Sequence, residues 1–377
     1  MAKTKKSNGE GTISYESDRK MYRARLIAPD GKRISKRFPT KKEAMEWIAV
    51  IQADICKNVY VAPNSLRLGE WLSEYLITYK APKVRPKTLD RYIQTAKHIA
   101  PIAEVELQKL TAHTVQQFYN ELPPMSASSK NKVHKLLKAA ITKACAIDLL
   151  SKNFMQAVEA PPVPKVEVQV FTTEEIGRIL QTAKTSRYYS KYYPFFLLAA
   201  TTGARLGELL GLKAPNVKPG YIYIDNSLQA VRGMLTDMPP KTAAGVRKIT
   251  ISAEVSKALK LASASSAPVL PFNRYVFHTR NGTPIPPRNM ERIWKALLQE
   301  AGVEYKNFHV LRHTMATQLL ANGVSIAEVA KRLGHSKISH TLNLYSHAVP
   351  NYDEGTLTAL APALAPKGFL NPANRMK

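Results

Sequence analysis

The stretch PFFLLAATTGARLGELLGL, Pro194 to Leu212, sets one arginine between two apolar runs. It reads as a buried helix, a glycine stop at Gly203, and a turn that delivers Arg205 to the start of a second helix. A guanidinium in such surroundings needs an anionic partner, and Glu208, one helical turn on, can orient it. The pair is either an internal structural ion pair or half of a site for an external anion.

The charge of the whole chain points to a polyanionic partner. The 377 residues carry 55 Lys+Arg against 28 Asp+Glu, a formal charge of +27, with a hydrophobic content of 45% that belongs to a folded chain. Residues 1–64, 65–164 and 165–377 contribute +7, +6 and +14. A charge spread over the whole length suits contact with a long phosphate backbone better than a basic tail would. Two cysteines, Cys56 and Cys145, give no disulfide framework and no Cys-rich zinc site. No apolar run is long enough for a signal peptide or a membrane span, so the expected compartment is the cytoplasm, with no membrane partner.

Outward from Arg205 the chain divides. Ala160 to Phe171, APPVPKVEVQVF, reads as an interdomain linker over residues 161–171. Before it, residues 65–160 read as all helical. One helix there buries Val133, Leu136, Leu137, Ala140, Ile141 and Ala144, and shows Lys130, Lys132, Lys135 and Lys138 on its other face. With Lys83, Arg85 and Lys87 these lysines could clamp DNA, or could simply be solvated. Residues 1–60 read as a three-stranded sheet backed by a helix: TISYE, MYRARLIA, the turn Asp30-Gly31, KRISKRF, then a capping box at Thr40 to Glu43 and the apolar face Ala44, Trp47, Ile48, Ile51, Ile55. Arg23 and Arg25 line the open face of that sheet, as a ribbon for a major groove or as a solvated surface.

Downstream, a capping box at Thr172 to Glu175 opens a domain over residues 172–350. TDMPPKTAAGVRKITI looks like a β-hairpin with Lys241 near its tip. NFHVLRHTMATQLL puts His309, Arg312 and His313 on one helical face, and SIAEVAKRLGH stops at Gly334 and presents His335. Five of the nine histidines fall between residues 309 and 347. HTLNLYSHA follows, with Tyr345 between His340 and His347. Residues 351–377 form a tail with Leu357, Leu360 and Leu364.

Five fragments, ATTGARLGELLGL, PKTAAGVRKI, HVLRH, LGHS and TLNLYSH, stand in the order and at the rough separations that mark tyrosine recombinases, the phage-integrase family. The chain is therefore similar to integrases of temperate phages or conjugative transposons. That resemblance implies a multidomain fold: a small α+β N-terminal domain that binds arm-type DNA, an all-α, SAM-like core-binding domain, and a mainly α catalytic domain with a small β-hairpin or sheet. It assigns Arg205 and Arg312 as phosphate-holding arginines, Lys241 as the hairpin lysine, His309 and His335 as the site histidines, and Tyr345 as the nucleophile. Glu208 and His313 are supporting residues, His313 by holding its helix; His340 and His347 have no assigned role.

The chemistry agrees with that assignment. A free phenol has a pKa near 10, so roughly 0.1% is phenolate at neutral pH. Two guanidiniums that tighten on the phosphate as charge builds would help it attack, and a lysine can protonate the departing 5′ oxygen. A 3′-phosphotyrosine conserves the bond energy, so no cofactor and no metal are expected. Before DNA binds, Tyr345 could rest packed in the closing helix. The partners implied by the resemblance are double-stranded DNA at core and arm attachment sites, further protomers in a homotetramer with the tail docking in trans, an excisionase and a host DNA-bending protein. A resolvase or invertase of the same family, a non-cleaving DNA-binding regulator, and a metal hydrolase built on His309, His313 and His335 are the alternatives.

Overall fold

The computed structural model describes residues 11–29, 31–57, 59–164, 168–264 and 275–345. Asp30 of the expected turn, His347 and the tail 351–377 lie outside them. The chain divides into two compact units between residues 165 and 166, inside the proline-rich stretch.

In the first unit, β1 (Thr12–Glu16), β2 (Met21–Ile27) and β3 (Arg33–Phe38) form an antiparallel sheet in that order. The register sets Arg23 opposite Ser14 and Arg37, and Leu26 opposite Ile34. Because side chains alternate across a strand, Ala24 and Leu26 point to α1 (Lys41–Cys56) and join Ala44 and Ile48 in a small core. Thr40 caps α1 by accepting the Glu43 backbone N–H.

Four helices follow: α2 (Leu68–Glu74), α3 (Pro86–Lys97), α4 (Ala112–Glu121) and α5 (Ala127–Cys145). The helix expected through Leu68–Lys80 changes at Tyr75 into a π-helical turn that runs to Lys80. All six apolar residues of the α5 stripe are buried, and the Trp71 indole N–H donates to the Ala140 carbonyl. The segment between α1 and α2 is irregular, as its sequence suggests, yet it is stitched down. Gln108 accepts the Asn64 N–H and donates to Ala62, and the Leu107 N–H donates to the Leu66 carbonyl.

The second unit opens with α6 (Thr173–Thr185), where Thr172 and Glu175 form a reciprocal capping box. Then come α7 (Tyr193–Thr202) and α8 (Leu206–Leu210); the strands β4 (Val217–Lys218), β5 (Tyr221–Ile224), β6 (Ser227–Val231), β7 (Met234–Met238) and β8 (Arg247–Thr250); and α9 (Ala253–Ala264), α10 (Pro287–Glu300), α11 (His309–Ala321), α12 (Ile326–Leu333) and α13 (Ile338–Tyr345). The apolar α7 is the hub of the core: Phe195 packs on Phe277 and Phe308, and Phe196 on Trp294. Such buried aromatics each contribute about 2–3 kcal/mol by leaving water.

One expectation is corrected. β7 and β8 do not pair with each other: β7 pairs with β6, and β8 pairs with β5 in a separate sheet with β4. The tight turn lies earlier, at Arg232 and Gly233, whose φ of 50° and 82° give the left-handed pair that a two-residue hairpin needs. Lys241 therefore sits on the connection that crosses between two sheets. Among the described residues no helix is long and apolar enough to cross a membrane.

Candidate active site

Gly203 ends α7 in the left-handed conformation, with φ of 61°, and so turns the chain to place Arg205 as the N-cap of α8. Its backbone N–H and its Nη1 donate to Glu208 at 3.0 and 2.7 Å, closing a capping box. Glu208 is buried, while the Arg205 side chain is 42% exposed. The guanidinium thus keeps one hand on a buried carboxylate and presents the other to solvent.

Arg312, on α11, is buried. Nη1 donates to the Gly203 carbonyl at 2.9 Å; Nη2 donates to the Leu333 carbonyl at 2.7 Å and to His335 Nε2 at 2.9 Å. This one side chain ties the end of α7 to the end of α12, and its Nε hydrogen and second Nη1 hydrogen have no acceptor among the described residues. Burial first, then Arg205, lowers its pKa to about 9, with Glu208 pulling the other way. It remains a guanidinium at neutral pH.

His335 follows Gly334, which caps α12 at φ of 67°. A guanidinium only donates, so Nε2 of His335 carries the lone pair, and Nδ1–H donates to Thr341 Oγ1 at 2.8 Å. Burial, then Arg312 and Arg205, push the imidazolium pKa down to about 4. The ring is neutral and its Nε2 here accepts a hydrogen bond. Thr341 is fully buried and fastens α13 to this junction.

Tyr345 is fully buried at the end of α13, among Met315, Ala316, Leu320, Val329 and Leu333. Its hydroxyl lies 2.6 Å from His313 Nδ1. Burial pushes the phenol up to about 12, against the opposing charge of Arg312. Burial and Arg312 lower the His313 pKa. Both groups are neutral, so the phenol donates and the imidazole accepts. His313, expected to hold its helix, instead holds the hydroxyl of Tyr345.

His309 opens α11 with its ring edge against His313, centroids 4.8 Å apart. It is exposed at the surface. Surrounding protein atoms, then His313, Arg312 and Arg205, depress its pKa, and water at its outer edge tempers that depression. Lys241 is exposed on its connection and bonds none of the other candidate residues. The structure thus brings together Arg205, Glu208, His309, Arg312, His313, His335 and Tyr345; Lys241 joins them through its loop alone. His340 is exposed, 6.3 Å from His335 ring to ring.

Residues 169–351 match the phage integrase family model, and residues 67–122 match that of the phage integrase N-terminal SAM-like domain. The chain belongs to the phage integrase family. These are the tyrosine recombinases, DNA strand-cleaving enzymes, and the chain is one of them. It is 28% identical to a tyrosine recombinase XerC-like protein of Caldanaerobacter subterraneus subsp. tengcongensis, over 88% of this chain and 92% of the relative. It is 24% identical to the transposase from transposon Tn916 of Enterococcus faecalis, over 89% and 87%. Among solved structures, the Tn1549 transposon integrase in complex with a circular intermediate DNA superposes with a TM-score of 0.69 at 21% identity, over 78% of this chain and all of that one. The lambda integrase tetramer bound to a Holliday junction gives 0.57 at 18%, over 93% and 99%. At these identities the two structures establish the fold.

In this family member the expected DNA-contacting residues lie on two surfaces of the first unit. Arg25 is exposed on the open face of the sheet; Arg23 beside it bonds Glu16 and Ser35. The same face carries Arg33 and Arg37, which the sequence reading passed over and which strand alternation would have found. Lys132, Lys135 and Lys138 are exposed on α5, with Lys130 half-buried; Lys83 and Lys87 are exposed near the start of α3, with Arg85 half-buried between them. Arg247 was missed as well. It lies inside the quoted PKTAAGVRKI, in register with the inward Ile249, and a charge on the buried face of a strand is the signal that could have flagged it.

Proposed function

We propose that Tyr345 attacks a DNA phosphodiester held by Arg205 and Arg312, giving a 3′-phosphotyrosine and a free 5′ hydroxyl. The enzyme is a site-specific recombinase of the integrase kind; the residue roles are the present reading. The observation that carries it is the Arg312 junction. One buried guanidinium holds the ends of α7 and α12 and the His335 ring, within electrostatic reach of Arg205 and of the seated Tyr345. Two cations converge where negative charge grows on the non-bridging oxygens. Lys241, exposed on its connection, protonates the leaving oxygen. A metal hydrolase on His309, His313 and His335 is disfavoured, because His313 Nδ1 is taken by the phenol and His335 Nε2 by a guanidinium.

The buried phenol adds a step: DNA binding must draw Tyr345 out of its apolar seat before attack. The division of labour follows the expected domains: arm-site binding by residues 1–60, core-site binding by residues 65–160, a linker over 161–171, chemistry in 172–350, and the tail 351–377 docking on a neighbouring protomer of a tetramer. An excisionase and a host DNA-bending protein would set direction, in the cytoplasm of a bacterial host. Incubation with a core-site duplex nicked near the crossover point tests the reading. A covalent adduct that Tyr345→Phe abolishes supports it; no adduct on a site the protein demonstrably binds overturns it.

A further inference from the structure

Arg247 is a buried cation that none of the proposed chemical steps uses. Its side chain and that of Glu208 are each only 5% exposed. The three nitrogens of its guanidinium point to three different segments. Nη2 donates to Glu208 Oε2 at 2.8 Å, Nε to the Arg332 carbonyl at 2.7 Å, and Nη1 to the Gly245 carbonyl at 3.2 Å. Those segments are the start of α8, which bears Arg205; the end of α12, which leads into His335; and the connection that bears Lys241. The contact at the last two is close: a Cβ on Gly334 would stand 2.9 Å from the Ala244 carbonyl and 3.0 Å from Arg247 Nη1.

The charges are arranged as well. Glu208 Oε1 accepts from Arg205 Nη1, while Oε2 is shared by the Arg205 backbone N–H and Arg247. A lone buried carboxylate would cancel Arg205. With Arg247 the trio keeps a net positive charge, and the only member that reaches solvent is Arg205. A lysine could supply the charge but not three donors fixed in one plane.

We infer that Arg247 is a positioning residue of the recombinase, setting Arg205, the Lys241 loop and the His335 junction in one register and keeping the Arg205 cation available to a phosphate. This rests on the proposed roles of Arg205, Lys241 and Tyr345. Glu208 fits the scheme: burial pushes its carboxyl up, but Arg247 and Arg205 outweigh this and hold it at about 2.

Single-turnover adduct formation by full-length protein on the nicked duplex tests it, with two leaving groups: the ordinary 5′ oxygen, and a 5′-bridging sulfur that departs as a thiolate without a proton. Arg247→Lys, folded by thermal denaturation, is expected to cleave the ordinary substrate at least tenfold more slowly, and to recover much of that loss on the sulfur substrate because Lys241 is no longer needed. Arg247→Gln, which also removes the charge, is expected to recover less, and it decides the matter if the lysine variant does not fold. Wild-type rates in a folded variant, or equal losses on both substrates in both variants, overturn the inference. A wild-type protein that forms no adduct dependent on Tyr345 sinks the reading of the site itself.

Discussion

The hydroxyl of Tyr345 is hydrogen-bonded to His313 Nδ1 at 2.6 Å, and no part of that tyrosine touches solvent. With Tyr345 as the proposed nucleophile, this buried seat keeps the phenol from a phosphate, so on that proposal the free protein holds its reactive group in storage. Tyr345 should therefore resist tetranitromethane while Tyr188, 70% exposed in the same unit, is nitrated, and core-site DNA should raise the Tyr345 rate. Peptide mass spectrometry reads both residues. Equal nitration of the two in free protein contradicts the buried seat.

Cutting the same bond has a cost. His313→Ala leaves a buried phenol O–H without an acceptor, a loss of roughly 1–3 kcal/mol, whereas His313→Gln can restore an acceptor. Denaturant unfolding should rank wild type above the glutamine variant and that above alanine. An alanine variant as stable as wild type would show that the bond adds nothing.

Much of this was legible before the fold was known. The α5 stripe, the Gly203 stop, the two caps at Thr40 and Thr172, and the three-stranded sheet all follow from local rules of period and capping, which act over a few residues. What escaped depends on partners distant in the chain. β7 and β8 look like a hairpin because they flank a turn, and only their registers with β6 and β5 separate them. His313 looked structural because its partner is 32 residues away. Arg247 was hidden because its carboxylate, Glu208, was already matched with Arg205 in sequence.

Acid should loosen the site. His335 has a pKa lowered to about 4 from the ordinary 6.5. Between those values the unfolded chain binds a proton that the folded one refuses, so stability is complete above pH 6.5 and falls as pH drops toward 4. His313 and His309, also depressed, act in the same direction. Glu208, held at about 2, loses its contribution only below pH 4.5. Chemical denaturation from pH 7 to 4.5 should show the decline, and His335→Asn, which cannot take up the proton, should flatten part of it. An unchanged slope in that variant assigns the loss elsewhere.

Two glycines offer a matched pair. A Cβ at Gly334 meets the Ala244 carbonyl at 2.9 Å, part of the backbone, while one at Gly203 meets the end of the flexible Met315 side chain; both have positive φ. The backbone strain of about 1 kcal/mol is common to both. Only Gly334→Ala must move the Lys241 loop. It should slow adduct formation on the nicked duplex more than Gly203→Ala does at comparable stability, and equal rates would mean the loop gives way without consequence.

Among the described residues, the open face of the N-terminal sheet carries Arg23, Arg25, Arg33 and Arg37 around one carboxylate, Glu16, which accepts from Arg23 and Arg37 at 3.3 and 2.7 Å. Four guanidiniums against one carboxylate leave an excess of positive charge on a ribbon narrow enough for a major groove. Changing Arg25 and Arg33 to alanine spares the Glu16 pairs and the buried Ala24 and Leu26, so folding should persist. Arm-site affinity should drop, and the slope of log K against log salt should shrink by about 0.9 for each phosphate no longer neutralised. Cleavage of an isolated core site should stay at the wild-type rate, because the proposed chemistry draws on residues of the second unit alone. Unchanged arm affinity with an unchanged salt slope would remove this face from the DNA interface and return it to solvent.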